Sequence, residues 1–210
     1  MKKTQSTYLI GIAGGSASGK TYLLQQLRER FPETDLGIIS QDDYYRPLQE
    51  QPKDEKNEVN FDLPEGIDVQ KFRNDLQALH QGKTITVQEY TFNNPEARPV
   101  AKVLQPAPVI VVEGLFIFYF PEIMRQLDLK VFLDAREDIR LSRRLRRDMT
   151  ERGIPEETVM YQWDYHVVPA YRRYLLPYRE ECDLIVTNNH TVEKGLELLR
   201  HHIKAICNGE

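Results

Sequence analysis

Residues 14–21 read Gly14-Gly15-Ser16-Ala17-Ser18-Gly19-Lys20-Thr21 and satisfy the pattern G-x-x-x-x-G-K-[ST] without a mismatch. A short apolar run, Tyr8 to Ala13, leads into it. Thr21 to Phe31 follows, with Leu23, Leu24, Leu27 and Phe31 along one helical face. A strand, a glycine-rich turn and a helix in that order wrap backbone N–H groups around a phosphate at the positive end of the helix. Lys20 is long enough to reach the β- and γ-phosphates of a bound nucleotide, and the Thr21 hydroxyl suits a Mg²⁺ ligand. A chance Gly/Ser-rich turn would need neither flank, so the segment reads as an NTP-binding loop.

Apolar runs and helical patterns alternate along the rest of the chain, which predicts an α/β fold: a P-loop NTPase-type parallel sheet flanked by helices. Further strands are expected at Leu36 to Ile39, Val109 to Val112, Leu129 to Leu133 and Leu184 to Val186. Helices are expected at Glu137–Glu151, Glu156–Tyr178 and Val192–Ile206. Residues 44–108 break the rhythm with seven of the twelve prolines, a charged run at 53–56, one helix at Val69–His80 and a hairpin strand at Thr84–Val87. At 210 residues the chain reads as a single domain, 1–210, carrying that segment as a small substrate-binding insertion.

Composition excludes several classes. Twenty-eight basic against 32 acidic residues leave a net charge of −4, which argues against coating nucleic acid or an anionic membrane. The longest apolar stretch, Val109 to Phe120, is interrupted by Glu113 and too short to span a bilayer. The opening residues read as a first strand rather than a signal peptide, and Cys182 and Cys207 as reduced thiols, so a cytoplasmic protein is expected.

The chemistry concentrates at three places besides the loop. Glu113 closes the clearest strand, where a carboxylate would lie beside the phosphates as a second Mg²⁺ anchor. Asp42 or Asp43, directly after the second strand, would stand at the same edge and could take a proton from an attacking hydroxyl; an Asp-rich turn is the plainer reading. Residues 136–152 hold seven arginines and no lysine, against four acids. Guanidinium groups suit bidentate phosphate contacts, so two or three arginines of a lid at 136–155 could close over a nucleotide. The rest would be a solvated face with pairs such as Arg144–Asp148 and Arg147–Glu151, while Leu141 and Leu145 pack inward. The tyrosines from Tyr161 to Tyr178, with Trp163, read as core or interface. His80, His166 and the His201-His202 pair have no partner at ligand spacing.

Taken together these motifs resemble the uridine–cytidine kinases, within the phosphoribulokinase/uridine kinase group. The resemblance covers nearly the whole chain: Gly14 to Thr21, Ser40-Gln41-Asp42-Asp43-Tyr44-Tyr45-Arg46, Asn60-Phe61-Asp62-Leu63-Pro64, Val112-Glu113-Gly114 and residues 140–153. It implies transfer of the γ-phosphate of ATP, or of GTP, with Mg²⁺, to the 5′-hydroxyl of a uridine- or cytidine-like ribonucleoside by a homotetramer. By motif position Asp42 would be the general base and Asp62 the ribose holder. Tyr90 and Phe92 would stack on the base; Arg144, Arg147 and Arg152 would be lid arginines, with Gln162 near the substrate. Two positions depart from the pattern. Tyr90-Thr91-Phe92-Asn93-Asn94 leads to Pro95 where the family has a base-reading His, and Ile154-Pro155 replaces an Arg-Asp pair whose Arg reaches the nucleoside. Asn93, Asn94 and Arg98 are candidate substitutes or plain turn residues. A related kinase of another small hydroxylated metabolite, such as a sugar phosphate or a pantothenate-like compound, therefore stays open, as does an NTP-binding switch without transfer chemistry.

Overall fold

A computed structural model describes residues 7–92 and 98–209. The apolar run before the phosphate loop forms β1 (Tyr8–Ala13), and α1 (Lys20–Arg28) opens on the loop's last residues. After β2 (Leu36–Ser40) a 3-10 turn spans Gln41–Tyr44. The insertion holds α2 (Val69–His80) and an antiparallel hairpin of β3 (Ile85–Gln88) and β4 (Ala101–Leu104). The core resumes with β5 (Val109–Gly114), the short α3 (Pro121–Met124), β6 (Leu129–Asp134), α4 (Glu137–Glu151) and α5 (Glu156–Gln162).

The expected single helix at 156–178 is broken. α5 runs into a π-helical segment at Trp163–Val167, then α6 (Val168–Ala170), a second π-helical segment at Tyr171–Leu175 and a 3-10 turn at Leu176–Glu181. Pro169 lies between the two wide turns and has no N–H for the regular ladder, which is the common cause of such a bulge. β7 (Leu184–Thr187) and α7 (Glu193–Asn208) complete the chain. Among the described residues no helix is long and apolar enough to cross a membrane.

The main sheet is five-stranded and parallel, in the order β2-β5-β1-β6-β7. Strand alternation sorts its side chains into two cores. Ile10 and Ile12 face α1 and α7, meeting Leu23, Leu27, Leu196 and Leu199; Leu9 and Ala13 face α2 and the aromatic segment after β5, meeting Phe72, Leu76 and Phe116. Burial on both faces is why these strands read as continuous apolar runs. Every strand of the sheet ends at one edge, and the loops leaving β1, β2 and β5 bring residues 14–20, 41–44 and 113–115 side by side.

Helix α4 overturns one expectation. Its inward stripe is not Leu141 and Leu145, both half-buried, but Arg140, Arg144 and Asp148, spaced four apart. α4 packs onto the phosphate loop and α5 rather than onto an apolar sheet face, so its buried side is polar.

Candidate active site

The phosphate loop is held from behind. Lys20 Nζ donates to Gly14 O at 2.8 Å, and Asn188, after β7, donates to Ser18 O at 2.8 Å. Ala17 takes φ +59° and Gly19 φ +105°, the left-handed turn that aims the N–H groups inward. Gly15 is glycine for a packing reason: a Cβ there would lie 2.5 Å from Arg140 Nη1. Arg140 cannot step aside, since it is 2% exposed, bonded to Ala135 O at 3.1 Å and stacked 4.0 Å from the Tyr171 ring.

Across the cleft, Ser40 caps the 3-10 turn by accepting from Asp42 N at 3.2 Å and donates to Glu113 Oε1 at 2.5 Å. One hydroxyl thus fixes the separation of the two carboxylates at the strand ends. Burial, then the neighbouring Glu113 charge, pushes the Asp42 carboxyl up to about 7, with Lys20 pulling the other way. Asp43 turns aside: it accepts from Lys102 Nζ at 3.2 Å and from Tyr90 N at 3.3 Å, which ties the hairpin to this turn. Of the two carboxylates that the motif left open, Asp42 borders the cleft and Asp43 does not.

The arginines are organised by Asp148, whose side chain is 1% exposed. It meets Arg144 Nε at 3.2 Å, Arg147 Nε at 2.8 Å and Arg152 Nη1 at 3.2 Å. The expected Arg147–Glu151 pairing is replaced by Arg147–Asp148. Arg144 also donates to Ser16 Oγ at 3.0 Å and to Gln162 Oε1 at 2.9 Å, so it bridges the phosphate loop, α4 and α5.

One cleft of about 1050 Å³ collects most of the predicted residues: Ser16, Ala17, Ser18, Gly19, Lys20, Thr21, Asp42, Asp62, Phe92, Glu113, Arg144, Arg147, Arg152 and Gln162. Gly14 and Gly15 support the loop from outside its lining. Tyr90 stands one layer back, packing edge-on to Phe92 at 5.1 Å and near Tyr45 at 5.3 Å. Tyr45 and Phe61 complete a four-ring cluster, in which Phe92 takes φ +44°, a strained value for a bulky residue. Asp62 lies beside this cluster, and burial raises its carboxyl above the usual range against the pull of Arg144. Asn93, Asn94 and Pro95 lie outside the described residues; Arg98 is exposed and away from the cleft lining, while Ile154 is part of it. A smaller cavity of about 370 Å³, lined by Gly19, Tyr22, Arg143, Asn188 and His190, opens at the far side of the loop.

Sequence reasoning missed Ser40, Asp148, the Tyr45–Phe61 pair and His166. His166 borders the cleft with Nε2 2.8 Å from Asp54 Oδ2. Its spacing of four from Gln162 on a helical stretch was the available signal. For Asp148 it was the position four after Arg144, read there as a solvated pair.

A five-stranded parallel sheet with a phosphate loop after its central strand, carboxylates at the ends of β2 and β5 and an arginine-rich helix packed on the loop defines a P-loop kinase fold. The sequence pattern of the phosphoribulokinase/uridine kinase family matches residues 9–194, and the chain belongs to that family. It is 34% identical over 198 residues to uridine-cytidine kinase B of Dictyostelium discoideum, covering 94% of this chain and 82% of that one. It is 37% identical over 182 residues to a uridine kinase of Chloroflexus aurantiacus, covering 86% and 87%. Phosphoribulokinase from Rhodobacter spheroides shares the fold at a TM-score of 0.63 and 15% identity, covering 88% of this chain and 71% of that one.

Proposed function

We propose that this chain is an ATP-dependent nucleoside kinase that transfers the γ-phosphate to the 5′-hydroxyl of a uridine- or cytidine-like ribonucleoside. The observation that carries this reading is the continuity of one cleft, which joins Ser16–Thr21 to the Asp42 carboxylate and on to Asp62 and the aromatic cluster. A nucleotide phosphate at the loop and a hydroxyl at Asp42 then share one space, as in-line transfer requires.

In this reading Asp42 accepts the proton of the attacking hydroxyl as its oxygen bonds the γ-phosphorus and the β–γ bridge to ADP breaks. A carboxyl poised near neutrality suits that task. Lys20, Arg144, Arg147 and Arg152 offset charge on the phosphoryl oxygens. Asp62 accepts from vicinal ribose hydroxyls, Phe92 stacks on the base with Tyr90 behind it, and Gln162 orients Arg144. The smaller cavity beside Gly19 and Asn188 takes the donor's base, adenine or guanine. Thr21 and Glu113 fit a Mg²⁺ ion, which takes one or two protein oxygens beside phosphate and water. When bound, Mg²⁺ would neutralise negative charge on the phosphate oxygens. Residues 44–108 serve as the acceptor-binding insertion of one domain and 136–155 as its lid. A homotetramer in the cytoplasm, where Cys182 and Cys207 stay reduced, completes the proposal; light scattering gives the subunit number.

The test is acceptor-dependent ADP release from ATP-Mg²⁺ across ribonucleosides, 2′-deoxynucleosides and sugar phosphates. Turnover with uridine or cytidine that Asp42→Asn abolishes supports the reading. Turnover confined to a sugar phosphate assigns the site to another metabolite, and hydrolysis indifferent to any acceptor assigns it to a nucleotide switch.

A further inference from the structure

His166 is 3% exposed yet borders the cleft, and no role above uses it. It sits in the π-helical segment Trp163–Val167, a geometry frequent where a side chain is aimed at a site. Its anchor is elaborate. Asp54 Oδ2 lies 2.8 Å from Nε2 and accepts from the Tyr161 hydroxyl at 2.6 Å, while Oδ1 accepts from the Lys56 and Glu58 N–H groups at 2.9 Å each. The Tyr161 hydroxyl above all, with these further bonds, holds the Asp54 carboxyl well below the ordinary range, so it is an acceptor only. Nε2 therefore carries the ring proton, and in the neutral imidazole Nδ1 keeps its lone pair. Nδ1 has no hydrogen-bond partner among the described residues.

The loop that supplies Asp54 runs on through Val59, Phe61 and Asp62, all in the cleft lining, and His166 lies close enough to Asp62 to influence its carboxyl. The imidazole is thus held in the cleft on the side of Asp62, with one lone pair free of any partner among the described residues.

We propose that His166 is a specificity-determining residue for the acceptor: held by Asp54, it accepts at Nδ1 a hydrogen bond from a ring or exocyclic N–H of the acceptor's base. This rests on the nucleoside-kinase reading above. A buried acceptor left unpaired rejects an analogue lacking the donor, so His166 selects among bases.

The experiment measures kcat and KM for uridine, 3-methyluridine and ATP in the wild type, His166→Gln, His166→Leu and Asp54→Asn. The wild type should prefer uridine over 3-methyluridine, which has no N3–H. His166→Leu should raise the uridine KM about tenfold, leave the ATP KM within about twofold and lose most of the preference over 3-methyluridine. His166→Gln, which keeps an acceptor oxygen, should restore most of the uridine KM. Asp54→Asn, whose amide can donate to Nε2 and so move the ring proton to Nδ1, should weaken uridine selection with the imidazole still in place; it carries the test should His166→Leu fail to fold. Equal losses for both acceptors, a change in the ATP KM instead, or a Gln variant no better than Leu overturns the proposal. If the wild type phosphorylates no nucleoside at all, it is the kinase reading that fails, and this inference with it.

Discussion

Asp42 and Asp43 are adjacent in the chain and do different work, because the 3-10 turn points one into the cleft and the other at the hairpin. Replacing Asp42 by Asn removes the proposed proton acceptor and should lower kcat/KM by about 10²–10⁴ while circular dichroism stays unchanged. The wild-type kcat/KM should rise with pH along a limb near 7, following the carboxyl that burial and Glu113 push up. A carboxyl with a folded pKa above its unfolded one, about 3.9, gives its full stability only below that value and loses it as pH climbs through 7. Asp42→Asn should therefore stabilise the protein by about 1–2 kcal/mol at pH 8 and not at pH 3.5, which denaturant melts at the two pH values would show. Asp43→Asn has a different signature. It weakens the Lys102 and Tyr90 contacts, so the acceptor KM should rise several-fold with the ATP KM unmoved.

Helix α4 depends on one buried carboxylate. Asp148 gathers Arg144, Arg147 and Arg152, and Arg144 in turn reaches Ser16 and Gln162. Breaking a buried ion pair from one side costs about 3–5 kcal/mol, and less where partners face water as Arg147 and Arg152 do. Asp148→Asn should cost about 2–3 kcal/mol by denaturant melt and lower kcat/KM further than the lost stability accounts for, since three guanidiniums lose their common anchor. An unchanged melt would show that the cluster is held from elsewhere. This helix is also where periodicity misled: its leucines marked an apolar face, but the neighbours of α4 are a phosphate loop and another polar helix.

Across the molecule, the ends of β1, β2 and β5, the 44–108 segment and α4 with α5 converge on one cleft, so occupancy of that cleft is linked to the stability of the whole fold. Saturating ATP-Mg²⁺, at about 100 times its Kd, should add about 2.7 kcal/mol to unfolding. Lys20→Met should abolish the resulting thermal shift without lowering the unliganded Tm, because among the described residues Lys20 bonds only the Gly14 carbonyl. By itself the sequence determined the parallel sheet, the phosphate loop, α2, α4 and Glu113 at the end of its strand, and it narrowed the turn after β2 to Asp42 or Asp43. Those are local matters: period, β-branched runs, glycines and a carboxylate at a strand end leave their mark within a few residues. The tertiary structure alone decided that Asp148 is a hub rather than a surface pair, that Asp43 serves the hairpin, and that Asp54 on one loop grips His166 some 112 residues away. Each of these depends on which face a neighbour covers and on contacts between distant segments. A buried polar residue and a solvated one share the same spacing, and packing separates them.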